Sequence, residues 1–291
     1  MTAKPIVAGT DGSEESLRAV DWAAREAALR GLPLRIVSAA DAPPRMIPHR
    51  HGSGPDTVAD TLRKDRERAL NVATERARTA APELQVNVDD LPRAPAYALT
   101  EAGSDASMLV VGARGVGAFT ALILGSVSQY VSAHAICPVV VVREETTAAT
   151  RQVGVGIGDP ARSAAALAFA FEEASLRKAS LIAVHAWDIP YDQIGAAAWA
   201  LATPGRPAVE EQSANQLESV LADWQGRYPD VQVTHDFIHA HPGRALVGLS
   251  ARADLVVLGR HAKHGALPGP GAVRHAVLNH AHGPVVTVPS S

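Results

Sequence analysis

The chain has 291 residues, of which 47% are apolar, 20% charged and 4% aromatic, with a net charge of −3. Such a charge excludes a bulk drive toward nucleic acid or an anionic membrane. The length predicts two domains of roughly 100–200 residues, whose cores must be filled by alanine, valine and leucine rather than by rings.

Met1–Pro5 runs straight into an apolar segment without a basic stretch and a long apolar one, so no secretory signal is expected. Ile6–Thr10 reads as a buried strand ended by Asp11-Gly12. Ser13 or Glu14 then opens a helix with Leu17, Val20, Ala24 and Ala28 near helical spacing, stopped by Gly31 and Pro33. Leu34–Ala39 is a second strand, and Asp41–Asp56, rich in Pro, Gly and His, a long loop. Val58–Thr79 is an amphipathic helix whose interleaved arginines and acids read as a solvated face, not a nucleic-acid stripe. Strands are then expected at Leu84–Val88, Met108–Val111 and Val139–Val142, with helices from Pro95 to Ala102 and from Ser126 to His134. Short continuous apolar runs fit a parallel sheet covered by helices on both faces, and right-handed crossovers make it a doubly wound α/β domain.

The chain then repeats itself. Ile6–Ala27 matches the segment from Gly154, with Asp11 on Asp159; Gly31–Pro43 matches Lys178–Pro190, with Ala39 on Ala186; Met108–Gly115 matches Asp254–Ala262; Cys137–Val142 matches Gly283–Val288. The offset stays between 146 and 148, so the repeat is one domain long. The polar stretch Arg143–Gln152 reads as the linker, giving domains over 1–145 and 152–291. The one cysteine, Cys137, excludes an intrachain disulfide and a thiolate metal framework, and reads as a small buried hydrophobe rather than a redox group. No apolar run reaches the roughly 20 residues that span a bilayer, and a cytoplasmic location is expected.

Ligands of doubly wound sheets bind beyond the carboxyl ends of the strands, where Thr10, Asp11, Ala39 and Gly112 fall. The segment Gly112-Ala-Arg-Gly115-Val-Gly117 follows a strand, and Gly125-Ser126 precedes a helix. Glycine lets backbone N–H groups approach a phosphate, and a helix N-terminus adds free donors and positive dipole character. Ser126 can cap its helix or bond a phosphate oxygen. Arg114 can add a charge-assisted contact or point to solvent. The set is a candidate polyphosphate cradle.

Gly112, Gly115, Gly125 and Ser126 meet, at every position, the signature G-x2-G-x9-G-S/T of the universal stress protein family, which this sequence resembles in its tandem form over nearly the whole chain. The resemblance implies an adenine-nucleotide α-hydrolase-like fold with a five-stranded sheet of order 3-2-1-4-5 in each domain, and domains paired through their last strands. It implies ATP, with or without Mg²⁺, as ligand. Asp11, beside Thr10, would lie by the adenosine, Ala39 against the adenine, and the glycine clusters on the phosphates with help from Val127 and Ser128.

The second copy departs from this pattern. Gly259 and Gly271 remain, but Ala262 replaces Gly115, Ala272 replaces Ser126, and the loop is one residue shorter. Asp159, Ala186, Gly259, Arg260, Gly271 and Ala272 form a weaker second candidate site, with Lys263 and His264 nearby. Gly154, Gly156 and Gly158 lack dinucleotide-fingerprint spacing and read as close packing and a turn. Nine of the 12 histidines lie in the second half; His239, His241, His280 and His282 read as surface or capping residues rather than metal ligands. The loop 188–207 is oddly apolar, with Tyr191, Ile194, Trp199 and Leu201.

The sequence reads as an ATP-binding stress or regulatory protein, a homodimer acting with a regulatory protein partner and not with nucleic acid or membrane. No catalytic or metal-ligating constellation is assigned. A slow ATPase or phosphotransferase, and a nucleotide-free dimerisation scaffold, are the alternatives.

Overall fold

A computed structural model describes residues 3–40, 55–115, 124–143, 149–159, 162–187, 206–260 and 270–290. The loops expected at 41–56 and 188–207, apart from the residues that open helices, lie outside these, as do Gly117, Ala262, Lys263 and His264 and residues 144–148 of the linker. The chain divides into two compact units, Met1–Glu145 and Thr146–Ser291.

The first unit runs β1 (Ile6–Thr10), α1 (Glu14–Arg30), β2 (Leu34–Ala39), α2 (Pro55–Ala80), β3 (Val86–Leu91), α3 (Pro95–Ala102), β4 (Met108–Gly112), α4 (Ser126–His134) and β5 (Val139–Val142). Its strands are parallel and ordered β3-β2-β1-β4-β5. Helices α1 and α2 pack together on one face, and α3 and α4 on the other. The start of α1 follows from its residues: Ser13 is the N-cap, its Oγ accepting from Ser16 N–H at 3.2 Å, with Glu14 and Glu15 in the positive first turn. It ends at Gly31, whose left-handed φ of 63° suits a residue without a Cβ. Leu17, Val20, Ala23, Ala24 and Ala27 form its buried stripe.

Two elements differ from expectation by more than one residue. β3 begins at Val86, not Leu84, and continues through Asp89 and Asp90. Leu84 N–H instead closes a turn on Ala81 O. Acidic residues survive in this edge strand because Arg35 pairs with Asp89, and Arg66 with Asp90 at 2.8 Å. Helix α2 begins at Pro55 rather than Val58, since proline tolerates the first helical position, where an N–H has no partner.

The second unit runs β6 (Gln152–Gly156), α5 (Ala164–Arg177), β7 (Ser180–Trp187), α6 (Arg206–Arg227), β8 (Val233–His239), α7 (Pro242–Ser250), β9 (Leu255–Arg260), α8 (Pro270–His280) and β10 (Val285–Pro289). Its parallel strands are ordered β8-β7-β6-β9-β10, the same winding. Gly154 and Gly156 are packing residues: a Cβ on them would stand 2.6 Å from the Leu249 side chain and 2.9 Å from that of Leu246. His241 caps α7, its Nδ1 accepting from Gly243 N–H at 3.2 Å. The two cores also share a buried ion pair in the same register. Glu26 meets Arg30 at 2.5 Å, and Glu173 meets Arg177 at 2.7 Å, both carboxylates being almost fully buried.

Candidate functional site

In the first unit the ends of β1, β2 and β4 and the first turn of α4 enclose a cavity of about 390 Å³. Thr10, Asp11, Ala39, Gly112, Arg114, Gly115, Gly125, Ser126, Val127 and Ser128 all line it. Val37, Leu99 and Val111 complete an apolar end that sequence reasoning did not assign.

The turn after β1 is built by its own side chains. The Thr10 hydroxyl accepts from Gly12 N–H at 3.2 Å and lies 3.1 Å from Ser16 Oγ. It is therefore engaged within the protein although it borders the cavity. Ser16 Oγ accepts from Asp11 N–H at 3.3 Å. Asp11 Oδ1 takes the Ser13 amide at 3.0 Å and the Ser13 hydroxyl at 2.6 Å, which fixes the carboxylate at the mouth. Gly12, at φ 82°, turns the chain there. Gly115 passes directly beneath Asp11: a Cβ would stand 2.2 Å from Asp11 Oδ2.

The glycine-and-serine loop divides its polar groups in a way the sequence does not reveal. The N-cap of α4 is Gly125, with no side-chain cap, and Ser126 is the first helical residue. Gly125 N–H donates to Ala113 O at 2.8 Å, which closes the loop. The buried Ser128 hydroxyl donates to Gly112 O at 2.6 Å, so it holds β4 to α4 and leaves its amide at the helix start. The amides of Ser126, Val127 and Ser128 have no acceptor among the described residues, as first-turn amides lack one within the helix. Arg114 lies loosely against Glu15, 3.9 Å away and half-exposed. The cavity thus pairs an apolar end with a donor-rich end.

The second unit has a cavity of about 310 Å³ at the equivalent place. Asp159, Ala186 and Gly259 line it, whereas Arg260, Gly271 and Ala272 are not among its described lining residues. The reason is local. Helix α8 starts at Pro270, two residues earlier in the repeat than α4, so Gly271 lies inside the first turn rather than at the cap. Val273 and Arg274 line the cavity, as Val127 and Ser128 line the first, with Arg162 from the turn before α5. Arg162 lies 3.4 Å from the Asp159 carboxylate. Burial pushes the Arg274 guanidinium below its ordinary value. The signal that could have exposed Arg274 was the register itself: GSVS over 125–128 becomes GAVR over 271–274.

The universal stress protein family model matches residues 2–143 and again 149–289. A universal stress protein of Mycobacterium tuberculosis is 36% identical over 300 residues, covering 98% of this chain and 97% of its own. A second from that organism is 32% identical over 302 residues, covering 98% and 96%. The crystal structure of a universal stress protein from Archaeoglobus fulgidus matches with a TM-score of 0.69 over all of both chains at 16% identity, a likeness of fold.

Proposed function

The chain belongs to the universal stress protein family in tandem form, and from that premise we propose that its first domain binds ATP and that nucleotide occupancy regulates association with other proteins. The observation that carries this reading is the uncapped first turn of α4, where the amides of Ser126, Val127 and Ser128 have no acceptor among the described residues and line the same cavity as Gly112 and Gly115. Unsatisfied helix-start amides suit phosphate oxygens. Val37, Ala39, Leu99 and Val111 offer the apolar surface a purine needs, and Asp11 a hydrogen-bond acceptor for a ribose hydroxyl. Asp11 is the one acidic side chain among the described lining residues, so Mg²⁺ would be held mainly by phosphate oxygens and water.

A binding role is favoured over hydrolysis, which needs a group to position water at the terminal phosphate. Asp11, the obvious candidate, has one carboxylate oxygen engaged by Ser13. Binding would order the loop and shift a self-association or partner equilibrium by differential affinity. We assign the chain to the cytoplasm as a homodimer. Among the described residues no helix is long and apolar enough to cross a membrane.

Calorimetric titration of nucleotide-stripped protein with ATP and Mg²⁺, beside a Gly115→Ala/Ser126→Ala variant, tests the reading. One site per chain, lost in the variant, is expected. Absence of binding in the parent protein would refute it.

A further inference from the structure

Arg274 stands where the first domain has Ser128, one turn into the helix that borders the ligand cavity. In the first domain that position holds a buried hydroxyl tied to the Gly112 carbonyl. In the second it brings a guanidinium to the cavity wall. No carboxylate or carbonyl partners Arg274 among the described residues, and burial alone accounts for its lowered affinity for a proton. A partly buried cation without a counter-charge is unfavourable unless a ligand supplies one.

The charge count sets the class of ligand. Asp159 offsets Arg162, 3.4 Å away, and leaves Arg274 as an uncompensated positive charge on the wall. The other described lining residues are apolar or glycine, including Ile157, Val184, Leu246, Leu258 and Val273. The features that would suit a triphosphate are weakened: Ala272 has no hydroxyl, and Gly271 lies within α8 instead of capping it. The volume, about 310 Å³, is near the lower end of roughly 300–1,000 Å³ for small-molecule sites.

We propose that the cavity of the second domain binds an organic monoanion with a compact apolar body, its head held by Arg274 with Arg162 beside it, and is not a second triphosphate site. The two domains would then respond to ligands of different chemistry. This inference does not depend on ATP binding in the first domain.

The test uses the full chain and anilinonaphthalene sulfonate, a fluorescent aromatic monoanion, as probe. Arg274→Met keeps the length and apolar stem, and is expected to weaken probe binding about tenfold or more, as loss of a charged hydrogen bond implies. Arg274→Lys is expected to stay within about threefold of the parent, because the charge that selects the anion is retained. Octanoate should displace the Arg274-dependent probe, while octanol, which lacks the charge, and ATP should not. Far-ultraviolet circular dichroism confirms that each variant is folded, and should Arg274→Met not fold, Arg274→Lys and the competition series in the parent protein decide. Unchanged probe affinity in a folded Arg274→Met, equal losses in the Met and Lys variants, or displacement of the Arg274-dependent probe by ATP would each overturn the proposal.

Discussion

Gly115→Ala is the sharpest probe of how the first site is put together. The added methyl would stand 2.2 Å from Asp11 Oδ2 and 3.3 Å from its Cγ, well inside contact distance. Gly115 does not have a left-handed φ, so the backbone tolerates alanine and the whole effect is steric. Asp11 is exposed and can swing into water, but it then gives up its bonds to the Ser13 amide and hydroxyl. After replacement by water the net cost is about 1 kcal/mol, which lowers the melting temperature of a unit this size by roughly 2–4 °C. On the proposed reading the displaced carboxylate would no longer meet the ribose, and ATP affinity should fall about tenfold. A double-mutant cycle with Asp11→Ala isolates the cause. Without the carboxylate no atom of the described residues stands closer than 3.9 Å to the methyl, so the stability cost of Gly115→Ala should largely vanish. The two changes should therefore be coupled by about 0.5–1 kcal/mol in thermal or denaturant unfolding. Additivity within roughly 0.3–0.5 kcal/mol, or a Gly115→Ala protein that melts and binds like the parent, would refute the reasoning.

Ser128→Ala removes the donor to Gly112 O and should lower stability by about 1–2 kcal/mol in urea unfolding, with weaker ATP binding as the β4–α4 junction loosens. Gly154→Ala should cost about 1–3 kcal/mol by overpacking against Leu249, and a cycle with Leu249→Val should show the cost partly relieved. Arg177→Ala withdraws the cation beside the fully buried Glu173 carboxylate and should cost about 3 kcal/mol, whereas Arg78→Ala, which breaks an exposed pair with Glu75, should change unfolding by less than about 1 kcal/mol. Burial pushes the His185 imidazole below its ordinary value. The unfolded chain then binds the proton more readily. Its contribution to stability is complete above the unfolded value near 6.5 and is lost as pH falls from there through the lowered folded value. His185→Phe, which keeps a ring against Phe237, should flatten that part of the stability–pH curve. An unchanged curve would show that His185 does not titrate with folding.

Local signals read well where the chain punctuates itself. β1, β2 and β5 and helices α3 and α4 lie where apolar runs stop at Asp-Gly, at Pro or at the Gly125-Ser126 pair. They failed at β3, where the strand runs on through Asp89 and Asp90. The arginines that make those acids tolerable come from β2 and α2, and pairing at that separation is invisible to a window along the chain. The first site was legible for the same reason in reverse: its residues sit at strand ends and at a helix start, positions that topology brings together whatever the intervening loop does. The use of each hydroxyl was not legible. Thr10 and Ser128 are turned inward to hold the turn and the loop, while Ser126 is left at the helix start. In the second unit the early start of α8 moved the glycine off the cap, a two-residue shift below the resolution of pattern reading, whereas Arg274 lines the wall at the position where Ser128 lines the first cavity.

The two copies separate what the fold requires from what a ligand requires. The buried pairs Glu26–Arg30 and Glu173–Arg177 stand in the same register because removing one partner leaves a charge in the core of either domain, whatever the cavity holds. The loop positions carry no such penalty and have diverged. A cradle made of backbone amides works only if the loop is rigid, and Ser128 supplies that rigidity by tying Gly112 to α4. A guanidinium on a flexible stem needs no rigid loop, since it can reach its anion. Exchanging the serine for Arg274 therefore changes the basis of selection, from the shape of a fixed set of donors to the charge of a movable one. A domain that selects by shape can distinguish phosphate number. A domain that selects by a single partly buried charge distinguishes anion from neutral analogue, and that is the comparison between octanoate and octanol that the second cavity should pass.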